Sequence, residues 1–424
     1  MDTARSLAPH ALAAAVGLTV LSLAACATPE PETTRSALAR TPASSVAPAL
    51  MSAATRDDRA FAGAVLGAIR GQHENLIFSP YSISAASSML WAGARTSSER
   101  DLAAALQLQQ TQAERHPAMN GIAQALDGRN LTLADTSRFE LAVVNDLWLQ
   151  RGFEVEPAYL DVLATAYGAG LRRLDFDADP KAARRTINDW VASQTRDRIQ
   201  DLFPEDAITS ATVLALTNAV YFKADWATAF SPASTKVETF NLRAGGTAQV
   251  PFMRGDIPGR HVARPDLTAV ELPYAGGELA LWVIAPTDLD ALEASVGPQL
   301  FSDLDAALSP ATLRVALPKW KHELALDLVP TFRALGAGSL FSSEADLTGI
   351  SARGGLFVQA IVHKAFIEVT EEGTEAAAAT GISVGRTSAP ADPIAVTFDR
   401  PFVYAIIDKP TGTVLFLGRV GDPR

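Results

Sequence analysis

The residues with the plainest catalytic potential are Gly381-Ile382-Ser383-Val384-Gly385, a match to the G-x-S-x-G pattern that lifts a serine nucleophile onto a tight strand-to-helix turn. The context denies it that role. An alanine run precedes Ser383 and Arg386-Thr387-Ser388-Ala389-Pro390 follows, so neither the buried strand nor the helix is in place, and 28 glycines make a chance match unsurprising. Serine hydrolysis through Ser383 is kept only as a distant alternative. Metal chemistry fares no better. The six histidines, His10, His73, His116, His261, His322 and His363, are scattered without H-E-x-x-H spacing, and Cys26 is the sole cysteine. No glycine-rich phosphate loop with a lysine occurs. No metal, no cofactor and no enzymatic activity are expected.

The stretch around that serine, Glu371 to Ser388, is better understood through the elements that must position it. Its alanines favour helix, but Gly373 in front and Gly381 and Gly385 behind leave room for about two turns, which is marginal in water. At a period of two, Thr374, Ala376, Ala378, Thr380, Ile382 and Val384 form one uncharged, small or apolar face, as in a strand with one buried side. With no proline between Gly373 and Ala389, the segment is able to sit in the middle of a sheet.

An acidic pair, then Gly-Thr-Glu and an alanine run, all following the apolar HKAFIEVT, resembles the hinge of a serpin, the serine-protease-inhibitor fold with an exposed reactive loop. NLIFSPYSIS (75–84), TNAVYFKADW (217–226), ADLTGIS (345–351) and RPFVYAIIDKPTGTVLFLGRVGDP (400–423) also resemble serpin signatures, in serpin order. The resemblance covers about residues 57 to 424. It implies an α+β fold with about nine helices, three β-sheets and a reactive-centre loop over about 372–393. It also implies a hinge of Glu371, Gly373, Thr374, Glu375, Ala376, Ala377, Ala378, Ala379 and Thr380. Ser79, Ser82, Asn218 and His363 match residues beneath the point where the main sheet opens, and act as a latch between neighbouring strands. Trp226 matches a tryptophan where the hinge enters, and Lys319 matches a lysine that pairs with Glu371.

Composition sets the surroundings. A chain of 424 residues with 48% hydrophobic residues can bury a large core, and after the first ~56 no linker-like shift occurs, so one large domain is expected. A net charge of −11 argues against nucleic acid or anionic bilayers as general partners. The apolar stretch from about Ala11 to Ala25 is shorter than the ~20 residues of a membrane span. It ends in Leu23-Ala24-Ala25-Cys26, which looks like a bacterial lipobox. Residues 1–25 are therefore expected to be a lipoprotein signal peptide, with Cys26 acylated and no intrachain disulfide available. Residues 26–56, rich in Pro, Ala, Ser and Thr, are expected to be a disordered tether reaching up to roughly 90 Å from the lipid, with the serpin domain at 57–424. Ala27 is not an aspartate, so the outer membrane of a two-membrane bacterium is the expected location, facing the periplasm or the cell surface.

In chain order, an amphipathic helix is expected over 57–71, a strand at NLIF, and a helix started by Ser79-Pro80. FELAVVNDLWLQ reads as a strand with apolar Phe139, Leu141, Val143, Leu147 and Leu149 on one face. Helices follow over 157–167 and 180–199 with a strand at 171–176 between them. ATVLALTNAVYFKADW reads as a central strand covered on both sides. A hairpin turns at Ala275-Gly276-Gly277, a helical segment covers 288–308, and single strands cover 313–324, 394–398, 401–407 and 413–420.

The resemblance implies an inhibitor of serine-type endopeptidases that acts as a suicide substrate: loop cleavage, acyl-enzyme formation, and insertion of the loop as a strand. The small hinge residues suit rapid entry. The alternative, a non-inhibitory serpin acting as a binding or structural module, would usually carry bulky, charged or proline-bearing hinge residues. Counting fifteen residues from the hinge glycine puts the reactive bond at Thr387-Ser388, whereas the single loop cation favours Arg386-Thr387. The helix at 111–126 lies where some serpins bind heparin, yet it holds one arginine and one histidine, so no heparin site is expected, and Arg172, Arg173, Arg184 and Arg185 read as solvated charge. A monomer is expected.

Overall fold

Folding begins earlier in the chain than composition suggests. The computed structural model describes residues 31–129, 139–374 and 392–424, and within them the supposed tether is packed from its sixth residue on. Thr33–Thr34 form a two-residue strand, β1; Ala43–Ser45 form a 3-10 turn; and helix α1 opens at Pro48 and runs to Ile69. Polar contacts hold the part before Val46, which is itself buried. Arg40 Nε donates to Asn120, Asn120 Nδ2 donates to the Thr41 carbonyl, and the Ala43 N–H donates to Gln124. Such partners lie about eighty residues away, which is why local composition misread the segment.

Strand β2 is Leu76–Phe78 and helix α2 is Pro80–Trp91. Ser79 caps α2, its hydroxyl accepting from the Ser82 N–H, with proline in the first turn. Helices α3 (Thr96–Ala105) and α4 (Gln112–Asp127) precede β3 (Phe139–Gln150). Helix α5 (Pro157–Val162) runs into a π-helical turn at Leu163–Tyr167, followed by β4 (Leu171–Leu174) and α6 (Pro180–Gln194). Strands β5 (Leu214–Asp225), β6 (Lys236–Asn241), β7 (Thr247–Ala263), β8 (Leu267–Pro273) and β9 (Leu279–Pro286) come next. The helical segment expected over 288–308 is two helices, α7 (Leu289–Ser295) and α8 (Pro298–Ala307). They part at Pro298, which cannot donate to a preceding turn.

The strand expected over 313–324 is likewise two, β10 (Ser309–Pro318) and β11 (Trp320–Asp327), and they belong to different sheets. The break falls at Pro318-Lys319, where Lys319 gives its N–H to the Pro251 carbonyl instead of continuing a ladder. Helix α9 (Val329–Ala334), β12 (Val358–Val369), β13 (Gly373–Thr374), β14 (Ile394–Thr397), β15 (Phe402–Asp408) and β16 (Thr413–Val420) complete the described chain.

Nine α-helices and two hydrogen-bonded sheet systems are present among the described residues. The seven-stranded sheet has the order β1-β4-β3-β5-β13-β12-β11, with β5 also paired directly to β12. The other runs β14-β10-β7-β8-β9-β15-β16-β2, with β6 on β7. The second and third expected sheets are continuous because β7 is long enough to pair with β6 over 247–252, β10 over 252–261 and β8 over 260–263. The apolar run at β5 is central, as its lack of alternation predicted. Its sheet is covered on one face by α6, where Ile187 and Val191 pack against Trp148, Ala215 and Ala219. On the other face lies α2, buried over its whole length.

Candidate functional site

Strands β5 and β12 pair in parallel from Leu214/Val358 to Val220/Ala365, then part. Into the opening comes β13. Gly373 and Thr374 pair antiparallel with Asp225 and Ala224 of β5, and Thr374 also pairs with Val369 of β12. Glycine is required here, because a Cβ at Gly373 would collide with the Ala224 carbonyl oxygen. Thr374 is fully buried and its hydroxyl shares a 2.7 Å hydrogen bond with Tyr274. The Tyr274 ring stacks on Trp226 with centroids 4.7 Å apart and planes 3° from parallel. Trp226 in turn donates its indole N–H to the Thr370 carbonyl and its backbone N–H to the Glu372 carbonyl.

The Lys319–Glu371 pair forms at 2.8 Å, with the glutamate side chain only 9% exposed. Glu371 also accepts from Thr235 Oγ1 at 2.6 Å. Burial works to raise the Glu371 pKa, but the hydrogen bonds from Lys319 and Thr235 outweigh it and hold the carboxyl below its ordinary value. Tyr274 and Thr235 were not singled out from sequence. Tyr274 looks like one more apolar hairpin residue, and its partner lies a hundred positions away.

Below the opening, where β5 and β12 are still paired, the four residues expected to form a latch are brought together, and a fifth joins them. His363 of β12 is in register with Asn218 of β5, and Asn218 with Asn145 of β3. The Ser79 N–H donates to His363 Nε2 at 3.0 Å, so Nδ1 carries the ring proton and donates to Asn218 Oδ1. The Asn218 amide donates to Ser82 Oγ at 2.6 Å and to Asn145 Oδ1, and Ser82 Oγ also donates to Asn145 Oδ1 at 2.9 Å. Three strands and the start of α2 thus share one buried, satisfied network. Asn145 had a readable signal: it occupies the apolar face of β3, between Val143 and Leu147, where the alternation calls for a hydrophobe.

This network predicts a pH response. Burial pushes the His363 pKa down to about 3, and those of the buried His116 and His322 to about 4. Unfolded histidines titrate near ~6.5, so below that pH the unfolded chain binds protons that the folded chain refuses. Stability is therefore expected to fall as pH drops from about 6.5 toward 4, by up to ~1.4 kcal/mol per unit for each histidine. In urea titrations at pH 7.5, 6 and 4.5, His363→Gln should show a flatter decline in midpoint than the parent. An equal decline would mean that His363 is not held neutral.

Other expectations meet the structure unevenly. Arg172 is not solvated: it is buried, pairs with Asp146 at 2.7 Å and lies 3.6 Å over the Trp190 ring, joining β4, β3 and α6. Arg184 gives a guanidinium N–H to the Phe203 carbonyl. On α4, Arg115 is buried against Asp58 and His116 is buried against Tyr167, so neither of the two residues is displayed. Cys26, Glu375, Ala376, Ala377, Ala378, Ala379, Thr380, Ser383, Arg386, Thr387 and Ser388 lie outside the described residues.

The serpin (serine protease inhibitor) family matches residues 57–423. An uncharacterized serpin-like protein of Thermococcus kodakarensis is 34% identical over 363 residues, covering 84% of this chain and 82% of that protein. Serpin B4 of Homo sapiens is 32% identical over 370 residues, 84% of this chain and 95% of its own. Antithrombin-III of Mus musculus is 34% identical over 364 residues, 84% of this chain and 77% of its own. Among solved structures, the native thermophilic serpin tengpin superposes with a TM-score of 0.80 at 23% identity, covering 93% of this chain and 100% of that one. Uncleaved ovalbumin gives 0.77 at 24% identity, covering 87% and 99%. These two establish likeness of fold. Fold, hinge geometry and relatives lead to one conclusion: the chain belongs to the serpin family, whose members are typically protease inhibitors.

Proposed function

We propose that this protein inhibits serine-type endopeptidases as a suicide substrate. The observation that carries the reading is the seating of Gly373 and Thr374 as an antiparallel strand between β5 and β12, with the rest of the loop following on. Each further loop residue steps one position back along both neighbours. Six steps on, Thr380 would face Asn218 and His363, so continued insertion has to break the latch and would place a small hydroxyl residue where it stood. In the proposed reaction the protease serine attacks the loop carbonyl, the C–N bond breaks, and the departing amine takes the proton. The hinge side is left esterified to the protease. Insertion of residues 374 to 387 at ~3.3 Å each then carries that ester roughly 45 Å, and the native fold, with its sheet incomplete, stores the driving free energy behind a kinetic barrier.

Incubation with a panel of serine proteases, followed by denaturing electrophoresis, should reveal a covalent complex of the summed masses. Cleavage of the loop with no complex would favour the binding-module reading. Mass spectrometry of the released carboxy-terminal fragment identifies the bond. A fragment starting at Ser388 supports cleavage after Thr387, which we favour because the sheet sets the inserted length. One starting at Thr387, with a trypsin-like protease as the better target, supports cleavage after Arg386, since burying that cation needs an acidic partner.

We further propose a lipid anchor at Cys26, supported by the coincidence of the sole cysteine with Leu-Ala-Ala-Cys, and an outer-membrane location in a two-membrane bacterium. The parent should incorporate fatty acid and sediment with membranes, and Cys26→Ala should do neither. Equal labelling of the two would remove the anchor.

A further inference from the structure

The chain becomes attached to the domain much closer to Cys26 than a tether over residues 26–56 would allow. Glu32 is held twice, its carbonyl accepting from the Arg173 N–H at 2.8 Å and its carboxylate meeting Arg151 at 3.2 Å. Thr33 and Thr34 then add β1 to β4. The six residues from Cys26 to Glu32 span at most ~20 Å when fully extended.

The position of that attachment along the sheet can be read from the register. Thr33 is level with Arg172, Arg172 with Trp148, and Trp148 with Ala215 of β5. The hinge enters at Ala224, nine residues further along β5 or about 30 Å away. Beside β1 the surface exposes Arg35, Arg151 and Leu38, and Leu38 at 54% is one of three exposed large hydrophobics among the described residues. An exposed leucine four residues past β1, on a chain whose Cys26 would carry lipid a few residues before β1, suits the interfacial layer of a bilayer.

We infer that the domain is held with the end of the sheet at the level of β1, the Leu214 end of β5, nearest the membrane, and with the hinge end turned to the aqueous side. The inference rests on acylation of Cys26. A loop inserting antiparallel to β5 travels from Ala224 toward Leu214, which is toward the level of β1. A protease trapped in this way is therefore drawn toward the bilayer that anchors the inhibitor.

The test uses the full-length lipidated protein in phosphatidylethanolamine/phosphatidylglycerol vesicles that carry an acceptor dye on the headgroups. A donor dye is placed through Ala37→Cys, beside β1, or through Val237→Cys, which is 68% exposed and two residues from the Thr235 that holds Glu371. Energy transfer should be several-fold stronger from position 37 than from 237. A ten-residue Gly/Ser insertion after Ala27 should bring the two signals together. Equal transfer from both positions, or no response to the insertion, in protein that floats with the vesicles and carries fatty acid overturns the orientation and leaves the anchor standing. Protein that incorporates no fatty acid and does not float overturns the anchor and the orientation with it.

Discussion

Replacing Thr374 with arginine is expected to abolish protease trapping while leaving loop cleavage intact. Thr374 is fully buried, paired on both sides and hydrogen-bonded to Tyr274, so the substituted guanidinium would have to be buried in the same slot without a carboxylate to meet it. Burying an uncompensated charge costs about 3–5 kcal/mol, and each ~1.4 kcal/mol added to the insertion barrier slows it tenfold. Insertion should therefore slow by roughly 10²-fold to several thousand-fold, and hydrolysis of the acyl-enzyme then wins. In a titration against a protease that the parent traps, Thr374→Arg should be consumed as substrate with little covalent complex. Tyr274→Phe is the graded control: it removes one partner of a buried hydrogen bond, worth about 1 kcal/mol, and should slow trapping only several-fold. If Thr374→Arg trapped as well as the parent, insertion would not begin at this residue.

The second large effect is expected at the latch. Asn218→Ala removes the acceptor of His363 Nδ1–H together with the donor shared by Ser82 and Asn145, with His363, Asn218 and Ser82 buried and Asn145 half-buried. Each group left unsatisfied costs about 1–3 kcal/mol, so a loss of about 2–4 kcal/mol is expected, falling on the native state, where the network is complete. Two readouts should move together. The urea midpoint should drop, and, for the inhibitor proposed above, spontaneous loss of inhibitory activity on mild heating should accelerate by at least tenfold, because β5 and β12 lose the side-chain bond that reinforces their ladder. Asn145→Ala disrupts the same network from β3, so the double variant should lose clearly less than the sum of the two singles. Fully additive losses would show that Asn145 and Asn218 act separately and that no latch spans the three strands.

Much of this architecture could be read along the chain because its signals are local. Ser79-Pro80 announces the start of α2 by a hydroxyl cap and a first-turn proline, and the structure places the cap there. The long, mostly apolar run from Leu214, with little alternation, announces a strand covered on both faces, and β5 is that strand. The small, uncharged face that begins at Thr374 announced a segment fit to enter a sheet, and Thr374 itself is seated in one. What the sequence hid depends on partners brought from far away. The packing of residues 32–47 rests on Arg173, Asn120 and Gln124, so composition alone made it a tether. Arg172 became a buried ion because folding placed Asp146 and Trp190 around it. Tyr274 is an ordinary aromatic until the chain, a hundred residues later, brings Thr374 to its hydroxyl. Asn145 stands between these cases: its place on an apolar face was visible as an anomaly, but only the alignment of β3, β5 and β12 joined it to Asn218 and His363 in one hydrogen-bonded network. Periodicity and capping are set by neighbours a few residues apart, whereas the satisfaction of a buried polar group is settled by whichever strand the fold lays beside it.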